Sequence, residues 1–255
     1  MLNIHGKDVC ETLAEVIAPE RAALAVIDIQ NTKMWEQGAD QVIFDKVKDL
    51  TCVARSAGLP IFFFFNTRGP GLRNISAAYN RVLMNLGRAP EQFSTMFDPT
   101  SESMQVHPGL EPQTEDCIIP KDRGSAFEGT NFQLLLRSLQ RETVILVGCS
   151  TDWCVEATAW DATNKDYYVV VVVVQPLTSP RRACGCTTTI PIHRTRCGIL
   201  PGTAGIVEKC VIGGSETQNG ITSLFHATRE RTAHERSNET NRSAGKRAAW
   251  HRAHL

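Results

Sequence analysis

The chain has 255 residues, 42% of them hydrophobic, with 27 basic and 27 acidic side chains. That length and apolar content suit one α/β domain of ordinary size, and no apolar run is long enough to span a membrane. The N-terminus lacks the basic-then-apolar pattern of a signal peptide, so a cytoplasmic protein with reduced thiols is expected from its nine cysteines.

Residues 22–29 form a short apolar run rich in branched side chains, as a buried parallel strand requires. Apolar residues then recur at helical spacing over 42–57, and Gly58 is placed to end that helix. A second strand is predicted over 59–65, a loop over 66–71 and a helix over 76–86. The polar, Pro-broken stretch 87–113 is expected to wrap the surface before a third strand at 116–120. A helix over 130–140, a strand over 144–147, a helix over 155–164 and a strand over 167–174 complete the series. Strands alternating with helices imply right-handed crossovers, a mostly parallel sheet and a three-layer α/β/α sandwich.

The composition breaks near Gln175. Residues 1–175 hold 15 basic and 22 acidic side chains, and 176–255 hold 12 and 5, so the two parts carry −7 and +7. The second part has no Asp, ten Arg against two Lys, and no sustained period beyond a candidate strand at 206–212. It reads as an atypical basic tail, disordered or poorly packed. Its charges are scattered among Thr, Ser and His and do not cluster with its two aromatics, Phe225 and Trp250, which argues against nucleic-acid binding. Cys184, Cys186, Cys197, Cys210 and His193 fit no zinc spacing and are read as unpaired, so no metal is expected.

Three segments carry ionisable side chains at strand ends, the edge where an open parallel sheet binds ligands. They are Asp28 after 22–27, Lys121 after Cys117-Ile118-Ile119-Pro120, and Cys154 in Gly148-Cys149-Ser150-Thr151-Asp152-Trp153-Cys154. Cys154 sits in the first turn of a predicted helix, where unpaired N–H groups favour thiolate over thiol. An Asp within reach can take the thiol proton, and a Lys ammonium can steady both anions. Each residue alone has a plainer reading, as a helix cap, a surface cation or a buried inert thiol. No glycine-rich phosphate loop follows any strand, so no nucleotide cofactor is expected.

Together these segments resemble the isochorismatase-like cysteine hydrolases over about residues 20–175. The resemblance rests on Val26-Ile27-Asp28-Ile29-Gln30, on Lys121 to Phe127 with Gly129 and Thr130, and on Gly148 to Asp161. It implies an Asp28, Lys121, Cys154 triad, a cis peptide at Cys149–Ser150, and an oxyanion hole from the N–H groups of Ser150 and Cys154. It also implies a homodimer or homotetramer acting on a small molecule; the composition and apolar runs already argue against membrane and nucleic-acid partners. Gln30, Asn31, Trp35, Phe127 and Trp153 are candidates to line the substrate pocket, although Trp35 and Phe127 read equally as core aromatics. Arg68 or Arg123 is a candidate to hold a substrate carboxylate.

Within the family, nicotinamidases carry a metal-binding Asp-x-His after the second strand, where this chain has Asn66-Thr67-Arg68. Members that cleave a vinyl ether can dispense with the cysteine. The resemblance therefore implies hydrolysis of a C–N bond in a small amide, ureido or carbamoyl compound through a thioester. A non-catalytic or impaired binding protein and a vinyl ether hydrolase remain as alternatives. The likeness fails after the valine run, where Gln175-Pro176-Leu177 and Arg181-Arg182-Ala183-Cys184 replace an expected helix, as a shifted reading frame or mispredicted exon would produce. Sequencing the transcript across the codons for residues 165–185 is expected to show a frame or splice discrepancy there.

Overall fold

The computed structural model describes residues 1–174, apart from 37, 86 and 94–97, together with the backbone of Val207–Ile212. Its centre is a parallel sheet of β3 (Ala22–Ile27), β4 (Ile61–Asn66), β5 (Cys117–Lys121), β6 (Thr143–Gly148), β7 (Tyr168–Val174) and β8 (Val207–Ile212). The spatial order is β5-β4-β3-β6-β7-β8, with every neighbouring pair parallel. All six residues of β3 are buried, as are the first five of β4 and of β6. This is why these strands read as continuous apolar runs without alternation.

Helices cover both faces, giving the expected three layers. On one side α1 (Leu13–Val16) and α2 (Gly38–Ser56) bury Val16, Ile43, Phe44, Val47 and Leu50 against Leu24, Val26, Phe63 and Val147. On the other, α4 (Phe132–Ser138) and α5 (Glu156–Asn164) bury Phe132, Leu136, Ala159 and Ala162 against Ala25, Ile27, Phe64 and Leu146. Helix α3 (Ala77–Asn85) lies with Leu83 and Phe93 in a small separate cluster. None of the helices among the described residues is long and apolar enough to cross a membrane.

The observed bounds follow the sequence reading to within a few residues. What the reading omitted is an exposed N-terminal hairpin of β1 (Leu2–Ile4) and β2 (Lys7–Val9), turned by His5 and Gly6 at φ 51° and 77°. Three-residue strands without a buried face leave no periodic signal. Strand β8 coincides with the candidate strand at 206–212. The rest of the segment read as a basic tail, 176–206 and 213–255 with Cys184, Cys186, His193 and Cys197, lies outside the described residues.

The sheet order fixes where a site can form. From β3 the chain proceeds through β4 to β5 on one side, and from β6 through β7 to β8 on the other. The switch point therefore lies at the C-terminal ends of β3 and β6, the position at which open α/β sheets bind ligands. Those ends approach closely: Cys149 N–H donates to Ile27 O at 2.9 Å. Gly148 has φ 137°, and a Cβ built there would lie 2.0 Å from Ile27 O. Only glycine lets the two strand ends meet.

A comparison of two glycines tests this. Gly148→Ala should lower unfolding stability by roughly 3 kcal/mol or more, from strain plus a backbone clash. Gly58→Ala, with φ 81° but nothing within 4 Å of its added Cβ, should lower it by only about 1–2 kcal/mol. Urea midpoints at unchanged m-value provide the measurement.

Candidate active site

Asp28 follows the last residue of β3 and adopts φ 55°, a left-handed conformation that Asp tolerates better than most residues. Lys121 ends β5, two strand spacings of about 4.8 Å from β3. In β5, Ile119 and Lys121 are buried while Ile118 and Pro120 are exposed, so period-two alternation turns Lys121 toward the α4 and α5 side. The long side chain then crosses the end of β4, where Asn66 is its register partner. Cys154 comes from the other direction, out of β6 through a π-helical turn, Thr151–Val155, that leads into α5.

The three meet. Lys121 Nζ lies 2.8 Å from Asp28 Oδ2, 3.4 Å from Cys154 Sγ and 3.1 Å from the carbonyl oxygen of Arg123. Three acceptors for three ammonium protons satisfy the cation fully. The Lys121 side chain is 0% exposed and that of Asp28 is 9% exposed. Asp28 Oδ1 has no hydrogen-bond partner among the described residues, and the carboxylate stands close enough to Cys154 for each to alter the other's ionisation.

Burial dominates the electrostatics. It pushes the Asp28 carboxyl above its usual range, opposed by the Lys121 charge and hydrogen bond and more weakly by Cys154 and Arg68. Burial alone would pull Lys121 down, but Asp28 and Cys154 together raise it, so the ammonium persists. The Cys154 thiol is pushed up to about 12, first by burial and then by the Asp28 charge, with Lys121 opposing. This corrects the sequence expectation of a first-turn thiolate: the favourable helix end is outweighed by loss of water around sulfur.

The remaining predicted residues separate into groups. The Cys149–Ser150 peptide is cis, as the resemblance implied. Trp153 and Val155 N–H groups both donate to Ser150 O at 3.2 Å; the amides expected to form an oxyanion hole, those of Ser150 and Cys154, stand outside those two bonds. Gln30 is a strap, its Nε2 donating to Asn66 O and Met104 O while its Oε1 accepts from Asn66 N–H. Asn31 reaches outward, donating to Glu102 at 3.4 Å.

Trp35 is 2% exposed within the α2 core and donates to Gln30 O. Phe127 packs on Phe132 and Tyr167 in the opposite core. Both aromatics therefore pack in the core. Trp153 is 42% exposed and lies against Gly124. Of the two arginines, Arg123 is exposed and donates to Asp122 O and Asn74 O. Arg68 is buried, donates to Asn66 Oδ1 and Thr67 O, and stacks over the Tyr79 ring at 4.7 Å. No group of three or more potential metal ligands is gathered among the described residues.

With this geometry established, relatives are informative. A family model described as the isochorismatase domain matches residues 22–173. The chain belongs to the isochorismatase family. Over 177 residues it is 30% identical to ureidoacrylate amidohydrolase RutB of Enterobacter sp. (strain 638), covering 62% of this chain and 76% of that protein. The protein of the same name from Pseudomonas savastanoi pv. phaseolicola (strain 1448A / Race 6) is 29% identical over 172 residues, covering 60% and 69%. A cysteine hydrolase structure from Pseudomonas syringae pv. phaseolicola 1448A shares the fold, with a TM-score of 0.53 at 22% identity over 62% of this chain and 72% of that one.

The opposing effects of Asp28 and Lys121 on the thiol give a test. Because Asp28 raises the Cys154 pKa and Lys121 lowers it, Asp28→Asn should make the thiol more acidic than in wild type. Ultraviolet titration of the thiolate, corrected by Cys154→Ala, measures the change. The same substitution leaves a buried ammonium without its carboxylate and should reduce stability by roughly 3–5 kcal/mol.

Proposed function

We propose that this isochorismatase-family hydrolase is a cysteine-dependent amidohydrolase that cleaves a C–N bond in a small ureido, carbamoyl or amide compound through a thioester. The observation that carries the reading is the contact of one fully buried ammonium with both a carboxylate, at 2.8 Å, and a thiol sulfur, at 3.4 Å. A buried inert cysteine has no need of either group. The resemblance of the chain to proteins named ureidoacrylate amidohydrolase supports the substrate class.

The chemistry follows from charge conservation inside the site. In the resting state Lys121 is the cation, Asp28 the anion and Cys154 neutral. Moving the proton from Sγ to Asp28 leaves the net charge of the buried group unchanged, whereas releasing it to bulk water would create a buried excess charge. Asp28, raised by burial, is the stronger base for it. As the proton moves, sulfur attacks the substrate carbonyl carbon, and the carbonyl π pair becomes an oxyanion.

The N–H groups of Ser150 and Cys154 are the proposed donors to that oxyanion; removal of one such donor in other enzymes raises the barrier by about 3 kcal/mol. When the oxyanion collapses, the C–N bond breaks and protonated Asp28 supplies the leaving nitrogen with its proton. Water then attacks the thioester, giving Asp28 a proton that it returns to sulfur. Each turnover consumes one water and restores the thiol.

Arg68 supports an acidic substrate. It is the buried arginine whose charge reaches Asp28, and its guanidinium, oriented by Asn66, Thr67 and Tyr79, is the proposed anchor for a carboxylate distal to the scissile bond.

Ammonia release from a panel of ureido acids, carbamoyl amino acids, primary amides and biuret should identify turnover by the wild-type protein. Cys154→Ala should lower that turnover at least about 10³-fold, and Asp28→Asn about 10²–10⁴-fold, despite its more acidic thiol. Acid-quenched enzyme should carry the acyl mass on Cys154. No turnover across the panel, or activity surviving in Cys154→Ala, would overturn the reading.

A further inference from the structure

The contacts around α5 single out a residue outside the three that meet. Thr158 is 0% exposed and lies one helical turn beyond Cys154. Its hydroxyl donates to Cys154 O at 2.7 Å and accepts from Ala126 N–H at 3.0 Å. A threonine that merely back-bonds to its own helix would make only the first of these bonds. The second comes from the loop that leaves β5 directly after Lys121, at a residue that is itself 0% exposed.

That loop is held at several points, one of them on Lys121 itself. Arg123 O accepts from Lys121 Nζ at 3.1 Å. Gly124 lies so close to Trp153 that a Cβ there would be 3.1 Å from the indole nitrogen. Thr130 donates through its hydroxyl to Ala126 O and accepts from Phe132 N–H at 3.2 Å, tying the loop's far end to α4. Hydrogen bonds thus run continuously from the start of α4 through Ala126 and Thr158 to the carbonyl of Cys154.

We propose that Thr158 is a positioning residue, whose hydroxyl sets the Lys121–Cys154 spacing by joining the loop after β5 to the backbone of the nucleophile turn. The assignment rests on the amidohydrolase reading for its effect on turnover, but its effect on the thiol is independent of any substrate. Without the hydroxyl, Ala126 N–H and Cys154 O lose their shared partner, and the Lys121 loop can withdraw from the sulfur. Lys121 favours the thiolate, so withdrawal makes the thiol less acidic.

The experiment compares full-length wild type with Thr158→Val, Thr158→Ala and Thr158→Ser, using thermal melting, alkylation of Cys154 by iodoacetamide and turnover. Cys154→Ala provides the alkylation background. Thr158→Val is nearly isosteric, and Thr158→Ala serves if the valine variant does not melt cooperatively. In the folded variant lacking the hydroxyl, alkylation at fixed pH should slow roughly ten-fold, the equivalent of about one pKa unit. Its kcat/KM should fall roughly ten- to a hundred-fold. Thr158→Ser, which keeps both hydrogen bonds, should restore both rates to near wild type.

An unchanged or faster alkylation rate in that variant would overturn the proposal, marking Thr158 as packing alone. Equal losses in Thr158→Ser and the variants without the hydroxyl would do the same. If the wild type turns over none of the amide panel while alkylation still follows the hydroxyl, the amidohydrolase reading fails and the positioning role stands.

Discussion

One buried ammonium organises the functional end of this molecule. Lys121 has no exposed side-chain surface, and an isolated cation in that position would be expelled or neutralised. It survives because a carboxylate, a carbonyl and a sulfur supply an acceptor for each of its protons. Those acceptors come from the residue after β3, from the loop after β5 and from the turn after β6, so satisfying the cation also specifies how three distant parts of the chain are arranged. The ion pair is better understood as a constraint on geometry than as a source of net stability, since desolvation offsets much of its Coulomb attraction.

The topology makes that constraint attainable. Parallel strands deliver all their C-terminal ends to one edge, and the reversal of strand order between β3 and β6 opens that edge at Asp28 and Cys154. Gly148 allows the two backbones to touch, while Gln30 clips the end of β3 to β4 and to the 99–105 stretch through Asn66 O and Met104 O. The strand ends that carry the site are thus joined to one another through main-chain groups. Lys121 reaches Asp28 from two strands away, across the end of β4 at Asn66, its register partner.

The sequence carries those features that depend on local pattern. Continuous apolar runs identify β3, β4 and β6, helical spacing identifies α2 and α5, and the ionisable residues after the strands identify the three groups that meet. It does not carry what depends on environment. Trp35 and Phe127 have the composition of pocket walls and the packing of core, and nothing in their neighbours along the chain separates the two. Gln30 beside Asp28 looks like a substrate contact until its amide is seen to be taken by backbone groups. Thr158 was concealed for a similar reason: a threonine four residues after Cys154 is an ordinary helical residue until the loop from β5 folds across it.

The ionisation of Cys154 shows most clearly where local reasoning ends. A cysteine in a first helical turn ought to be acidic, and with water around it that argument would succeed. Here burial removes the water that would solvate a thiolate, and the nearby carboxylate adds repulsion, so the proton stays on sulfur. A neutral thiol resists oxidation better than an exposed thiolate. In the proposed reaction it becomes nucleophilic only as Asp28 accepts the proton, at a moment when a carbonyl is present to carry the developing negative charge to the Ser150 and Cys154 amides. Reactivity is then conditional on the substrate, because the alternative, a free thiolate beside an ionised Asp28, places two anions around a single ammonium.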